Sequence, residues 1–361
     1  MSFKKQLRTL YSSSVLGNLS LTGAWVAILA ARGYSLVDIS LAETVFHITS
    51  LIFEIPSGVL ADVFGRKKML IVSTFMRMIG NLIMIFSNNL FTVCLSIAFH
   101  ALGYNFSSGS GDALAFDSLK AEGQQHRFAR YESNQLIIYR LCSGLSTLCA
   151  GFALQIGHRL AYSTDLVTSV VQLGLLFSLQ EICPGKTDSS KKLTQTLLHC
   201  FKESFAFVLR MRKALVLMLC NALIGAMDIL LLFFLQAKLP LKGMPAWGLG
   251  MALLMMEMGG ILGARLSLKC KNMRYGSLFL FSALLVLCGI LMEHSPSCIL
   301  MAAGGFLSAV GDDALQVKTN TLLQHMFPSH QRATLTSVES FTFSVVMIVL
   351  TPLAGYFYTI W

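Results

Sequence analysis

Charge is scarce in this chain. Only 13% of its 361 residues are Asp, Glu, Lys or Arg, where a soluble domain carries about 25%. That scarcity excludes an ordinary water-soluble globule, and an apolar share of 55% excludes disorder. Proline is scarce as well, seven in all, so long stretches are free to run as uninterrupted helix. Acidic residues are the minority charge, 18 against 28 Lys and Arg. The resulting +10 raises the question of nucleic acid. Yet the basic residues recur in short clusters between apolar runs, not on one face, and no nucleic-acid partner is expected. The nine cysteines stand singly with no C-x-x-C. They form neither a disulfide framework nor a zinc site, and no metal is expected.

What the chain has in abundance is apolar runs, at a mean hydropathy of +0.66. A helix needs about 20 residues to cross about 30 Å of hydrocarbon. Runs of that kind lie at Leu10–Ala31, Ile39–Leu60, Met69–Phe86, Leu90–Leu114, Ser133–Ile156 and Leu160–Leu179. Five more follow at Ala214–Gln236, Met244–Leu266, Ser277–Met292, Cys298–Val317 and Ala333–Tyr358. Eleven spans predict an all-α polytopic membrane protein. Lys4, Lys5 and Arg8 give the start a signal-peptide look, but the run behind them is too long for one, so it reads as an uncleaved first helix.

The basic residues test this map. Twenty-two of the 28 fall on the side of the N-terminus, and only Arg32, Arg159, Lys238 and Lys242 fall opposite. Positive charge marks the cytoplasmic side. The N-terminus is therefore expected in the cytoplasm, and after an odd number of spans the C-terminus outside.

The longest connector divides the chain into residues 1–180 with six spans, a linker at 181–213, and residues 214–361 with five. Leu197, Phe201, Phe205 and Val208 form one helical stripe in the linker, which predicts an amphipathic helix lying on the membrane surface. The halves echo each other. Asp112-Ala113-Leu114 recurs as Asp313-Ala314-Leu315, 201 positions on, and Glu132-Ser133 as Glu339-Ser340, 207 on. A common offset at matching places points to a duplicated bundle.

One connector is more than a positive loop. Gly58-Val59-Leu60-Ala61-Asp62-Val63-Phe64-Gly65-Arg66-Lys67-Lys68 joins the second and third spans. Gly58 suits close helix approach and Gly65 a tight turn. Asp62 and Arg66 place opposite charges at the membrane edge. The segment resembles the G-x-L-A-D-x-x-G-R-[KR] signature of the major facilitator superfamily. Arg32-Gly33-Tyr34-Ser35, Phe53-Glu54-Ile55-Pro56-Ser57, the stretch Gly111 to Ser118 and Arg332-Ala333-Thr334 are similar to its drug-efflux-like branch. Val63 stands where that family has a basic residue, and the family's twelfth helix has no counterpart here. The resemblance implies two pseudo-symmetric helical bundles, six plus five spans, around a cavity open to each side in turn. It also implies a cytoplasmic latch of Gly58, Asp62, Gly65, Arg66 and Asp117. In that latch Asp62 faces the N-terminal end of the eleventh helix and Arg66 reaches Asp117.

Charges within spans normally face a cavity or a partner. Glu43, His47, Ser50 and Glu54 share one face of the second span, Arg140, Ser143 and Thr147 one face of the fifth. Asp228 and Glu257 sit mid-span in the seventh and eighth. Glu43, His47, Glu54, Arg140, Asp228 and Glu257 are the candidates for binding substrate or protons. Structural pairing on a neighbouring helix is the competing account for each. Asp165 lies nearer the outer surface, and Arg77 reads as structural.

Gly185-Lys186-Thr187 looks like the tail of a phosphate loop, but Gln180 stands where that loop needs glycine. Without an ATP site, an ion gradient must drive transport. The expectation is a secondary transporter of the cell membrane: proton-coupled, exporting lipophilic or cationic small molecules, acting as a monomer without a cofactor, and not an enzyme. Uptake of a small nutrient on the same fold is the alternative. A membrane sensor or enzyme is a more distant one.

Overall fold

The computed structural model describes residues 3–182, 212–269, 272–326 and 332–360. The linker stripe from Leu197 to Val208 lies outside them. Among the described residues the chain is helical, with no strand. Among the described residues ten helices are long and apolar enough to cross a membrane, or eleven spans if one bent pair counts as a single crossing.

Three spans that hydropathy reads as continuous are broken. The first is α1 (Phe3–Asn18), a short 3-10 turn (Leu21–Ala24) and α2 (Trp25–Ala31). Asp165, far along the chain, explains the break. Its Oδ1 accepts the Leu21 backbone N–H at 3.0 Å, and its Oδ2 accepts the Ser20 and Thr22 hydroxyls, each at 2.5 Å. One carboxylate thus holds a backbone N–H that the helix interruption sets free, together with two hydroxyls beside it. The second span, α3 (Leu36–Phe64), is continuous, as is the third, α4 (Arg66–Phe86). The fourth divides into α5 (Leu90–Ser107) and α6 (Ser110–Ala121) at Gly109, whose φ of +69° only glycine adopts at no cost. The fifth, α7 (Phe128–Leu148) and α8 (Ala150–Ile156), bends by 49°. Then come α9 (His158–Ser178), α10 (Arg212–Leu241), α11 (Ala246–Lys269), α12 (Tyr275–Glu293), α13 (Cys298–Met326) and α14 (Arg332–Ile360).

Packing gathers the described residues into two compact units. Unit 1 is Met1–Gly23, Val45–Ser146 and Ile156–Phe201, and unit 2 is Ala24–Thr44, Thr147–Gln155 and Lys202–Trp361. This grouping differs from the division by sequence at 180 and 214, because the broken first span, α3 and the bent fifth span each contribute to both units. In unit 1, Leu10, Leu114, Tyr131, Leu176 and Leu179 form a buried cluster joining α1, α6, α7 and the end of α9. In unit 2, Ala24 at the end of the 3-10 turn, Ala27 of α2 and Ala150 of α8 share a cluster with Leu235, Leu249 and Met301. There α11 and α13 approach most closely where Gly259 and Gly263, one turn apart, leave no room for a side chain. An added Cβ would collide with the carbonyls of Phe306 and Val310. Small residues permit such backbone contact where apolar burial alone favours no particular partner.

Candidate functional site

The turn between α3 and α4 is built around Gly65. Its φ is +101°, and an added Cβ would fall 2.6 Å from the Glu181 carboxylate. Both the backbone conformation and the close approach require glycine. Glu181 Oε1 accepts the Arg66 backbone N–H at 3.1 Å and Oε2 that of Lys67 at 2.9 Å. The carboxylate thereby caps the positive end of α4. The Arg66 guanidinium pairs with Asp117 of α6 and donates to the Ala113 carbonyl at 2.9 Å. Lys67 Nζ reaches the Phe177 carbonyl at 2.9 Å. Arg66, Asp117 and Glu181 thus tie α4, α6 and the end of α9 together. The Asp62 side chain lies outside the described residues. Among the described residues, a Cβ on Gly58 would meet no atom within 4 Å. Sequence reading missed Glu181, whose signal was only an acid closing the sixth apolar run.

Deeper in unit 1 lies a polar cavity of about 410 Å³. Ser13, Arg77, Asp112, Tyr131, Gln135 and Gln172 are among its walls. Arg77 donates to the Gly17 carbonyl at 3.2 Å and to Gln172 Oε1 at 3.1 Å. Gln172 in turn donates to the Ser13 carbonyl at 3.0 Å, and Gln135 to the Tyr131 hydroxyl at 2.5 Å. Gly103 gives Arg77 passage, since a Cβ there would lie 2.6 Å from its Cγ. A guanidinium has five N–H donors, so Arg77 braces α1 and α9 and also lines the cavity. The break at Gly109 brings Ser108 and Asp112 to the same wall.

The other candidates are dispersed. On α3, Glu43 and His47 are buried and Glu54 half-buried. Ser50, on the same face, donates to Asn105 Oδ1 at 2.8 Å while Asn105 Nδ2 donates to the Ser50 carbonyl at 2.7 Å. Arg140 is exposed on α7. In unit 2, Asp228 is buried beside Ser308, with Asp313 and Glu257 within electrostatic reach. Gly225 and Gly260 leave room for Asp312 and Asp313 against α10 and α11. The sequence used Asp313 only as a repeat landmark. Its place inside the tenth apolar run was the signal that it is a membrane-embedded acid like Asp228. Among the described residues, no group of three or more His, Cys, Asp or Glu is placed to hold a metal.

A family model described as Major Facilitator Superfamily matches residues 9–352. The chain belongs to the Major Facilitator Superfamily. Two transporters are similar to it in sequence. An uncharacterized transporter of Buchnera aphidicola is 34% identical over 118 residues, 33% of this chain and 28% of that protein. The uncharacterized MFS-type transporter YxaM of Bacillus subtilis is 24% identical over 221 residues, 58% of this chain and 53% of that protein. The chain thus spans about half or less of these relatives' length. Solved structures are similar over nearly the whole chain. The nucleoside transporter NupG, in a mutant form, matches with a TM-score of 0.78 at 13% identity, covering 97% of this chain and 91% of that one. A peptide transporter, POT, matches at 0.75 and 14%, covering 97% and 88%. A D-xylose-proton symporter matches at 0.66 and 10%, covering 99% and 89%. At such identities the likeness is one of fold. This superfamily member is a multi-span membrane protein of a transporter family, which is not an enzyme class.

Proposed function

We propose that the chain is a proton-coupled secondary transporter of a small polar solute, working by alternating access. The unit 1 cavity supports this reading. Its walls offer a guanidinium, a carboxylate, three amides, two phenols and several serines. Such a wall recognises hydroxyls, amides or a paired charge. It suits a hydrogen-bonding solute better than the lipophilic export substrate that the drug-efflux resemblance implies. Arg77 anchors an acidic or hydroxyl group, and Asp112 faces the same space. Membership of a transporter family, and the fold it shares with nucleoside, peptide and xylose transporters, agree with this solute class.

Cation export is the second reading. The acids around Asp228 favour it, because Asp228, Glu257, Asp312 and Asp313 give unit 2 an interior rich in carboxyl groups. In either reading the Arg66–Asp117 pair and the Glu181 cap hold the face that carries the N-terminus, the face that positive charge assigns to the cytoplasm. Opening that face breaks the pair.

Transport by liposomes carrying the purified chain tests the proposal. Under an imposed proton gradient, radiolabelled nucleosides, sugars and dipeptides would be offered beside a lipophilic cationic dye. Gradient-dependent movement of a polar solute, weakened through KM in Arg77→Lys, is the expected result. Movement of the dye alone would overturn it in favour of export.

A further inference from the structure

Glu293, the last residue of α12, has 0% of its surface exposed, and among the described residues neither carboxylate oxygen finds a hydrogen-bond donor. The charged and titratable groups around it come from three elements. Lys238 lies near the end of α10, Lys242 in the turn that follows, and Tyr358 near the end of α14. His294 is next to it in sequence. Each is engaged elsewhere. Lys238 Nζ stands 4.0 Å from the centroid of the Phe234 ring. Lys242 Nζ donates to the Ser295 carbonyl at 2.5 Å. The His294 ring contacts the Ile290 carbonyl at 2.9 Å, and the Tyr358 ring packs on Phe234 with centroids 3.8 Å apart.

A buried carboxylate with no donor is strongly disfavoured while charged. The arrangement therefore suits the neutral acid, with an ammonium group held on an aromatic face within electrostatic reach of it. Cation–π attraction holds a lysine more weakly than a desolvated carboxylate does. The Lys238 side chain is flexible enough to exchange one partner for the other.

We propose that Glu293 is a proton-carrying carboxyl of the transport cycle, and that Lys238 moves from the Phe234 ring to its carboxylate when the proton leaves. Only the O–H bond breaks. The proton passes to water, Lys238 keeps its charge, and the pair goes from +1 to neutral. The inference rests on the reading of the chain as a proton-coupled transporter and adds the residue that binds the proton at the far end of α12.

Infrared difference spectra of the full chain in lipid, recorded between acid and alkaline pH, test it without any substrate. The carbonyl stretch of a neutral carboxylic acid should vanish on raising pH in the native protein and be missing from Glu293→Gln. In Lys238→Met the loss should move up by about one pH unit, because the carboxylate has lost its cation. Glu293→Asp should keep a titrating band, which shows that loss of the signal is not misfolding. An identical band in Glu293→Gln, or an unmoved transition in Lys238→Met, would overturn the proposal. Failure of these spectra leaves solute transport measurable, so the two readings fail separately.

Discussion

The Glu181 carboxylate caps α4 across 115 residues of sequence, one oxygen on the Arg66 N–H and the other on that of Lys67. Removing a side-chain cap costs about 0.5–2 kcal/mol. Glu181→Ala should therefore lower the melting temperature in detergent by a few degrees, while Glu181→Gln, which keeps an acceptor, should lose less. Gly65→Ala should cost more than either. It would place a Cβ at φ +101° and against the carboxylate itself, with backbone strain of order 1–3 kcal/mol.

Arg66 and Asp117 should behave as a unit. Their side chains are 24% and 25% exposed, so water screens the pair in part, and a coupling of about 0.5–1.5 kcal/mol is expected. A double-mutant cycle of Arg66→Ala and Asp117→Ala, read by thermal unfolding, measures it. Additive effects would show that the two charges do not depend on each other. Restoration by the reversed pair, Arg66→Asp with Asp117→Arg, would show that charge complementarity matters more than either residue's other contacts.

Asp165 should prove structural rather than a transport residue. Its carboxylate holds three donors at the break between α1 and α2. Asp165→Ala should cost about 1–3 kcal/mol in stability, the range for a lost charged acceptor. Transport per folded molecule should be nearly unchanged in Asp165→Asn, which keeps one acceptor oxygen. A proton-coupling defect in that variant, with normal melting, would assign Asp165 to the cycle instead.

The α11–α13 contact should tolerate no side chain. Gly263→Leu would drive a branched chain into the Val310 carbonyl, and overpacking of this kind costs about 1–3 kcal/mol or more. Loss of a monodisperse peak in size-exclusion chromatography would report it. Gly276→Ala, whose Cβ meets nothing within 4 Å, should stay within about 0.5 kcal/mol of the native chain.

Several features were legible because their causes are local. Each apolar run is long enough to cross a bilayer by itself, and the described helices fall where those runs lie. The Gly65 turn was legible for the same reason, since the need for a positive φ shows in a few neighbouring residues. The breaks were not. Hydropathy averages over a window and stays high through Leu19 and Ser20, while the carboxylate that stabilises the interruption sits 145 positions away from Ser20. Arg77 looked structural from its place in a span. Its role as a cavity wall depends on Gly17, Gly103 and Gln172 arriving from three other helices.

By itself, then, the order of residues determined an all-helical membrane protein, where its spans lie, and which acids are forced into hydrocarbon. Those properties follow from the hydropathy and length of contiguous segments. Tertiary structure alone decided which of the buried groups meet. It put Glu181 on α4, and it brought Asp313 within electrostatic reach of Asp228 and Glu293 within reach of a lysine held by a phenyl ring. Such pairings join side chains distant in sequence, and their geometry is set by how helices pack, which no local pattern records.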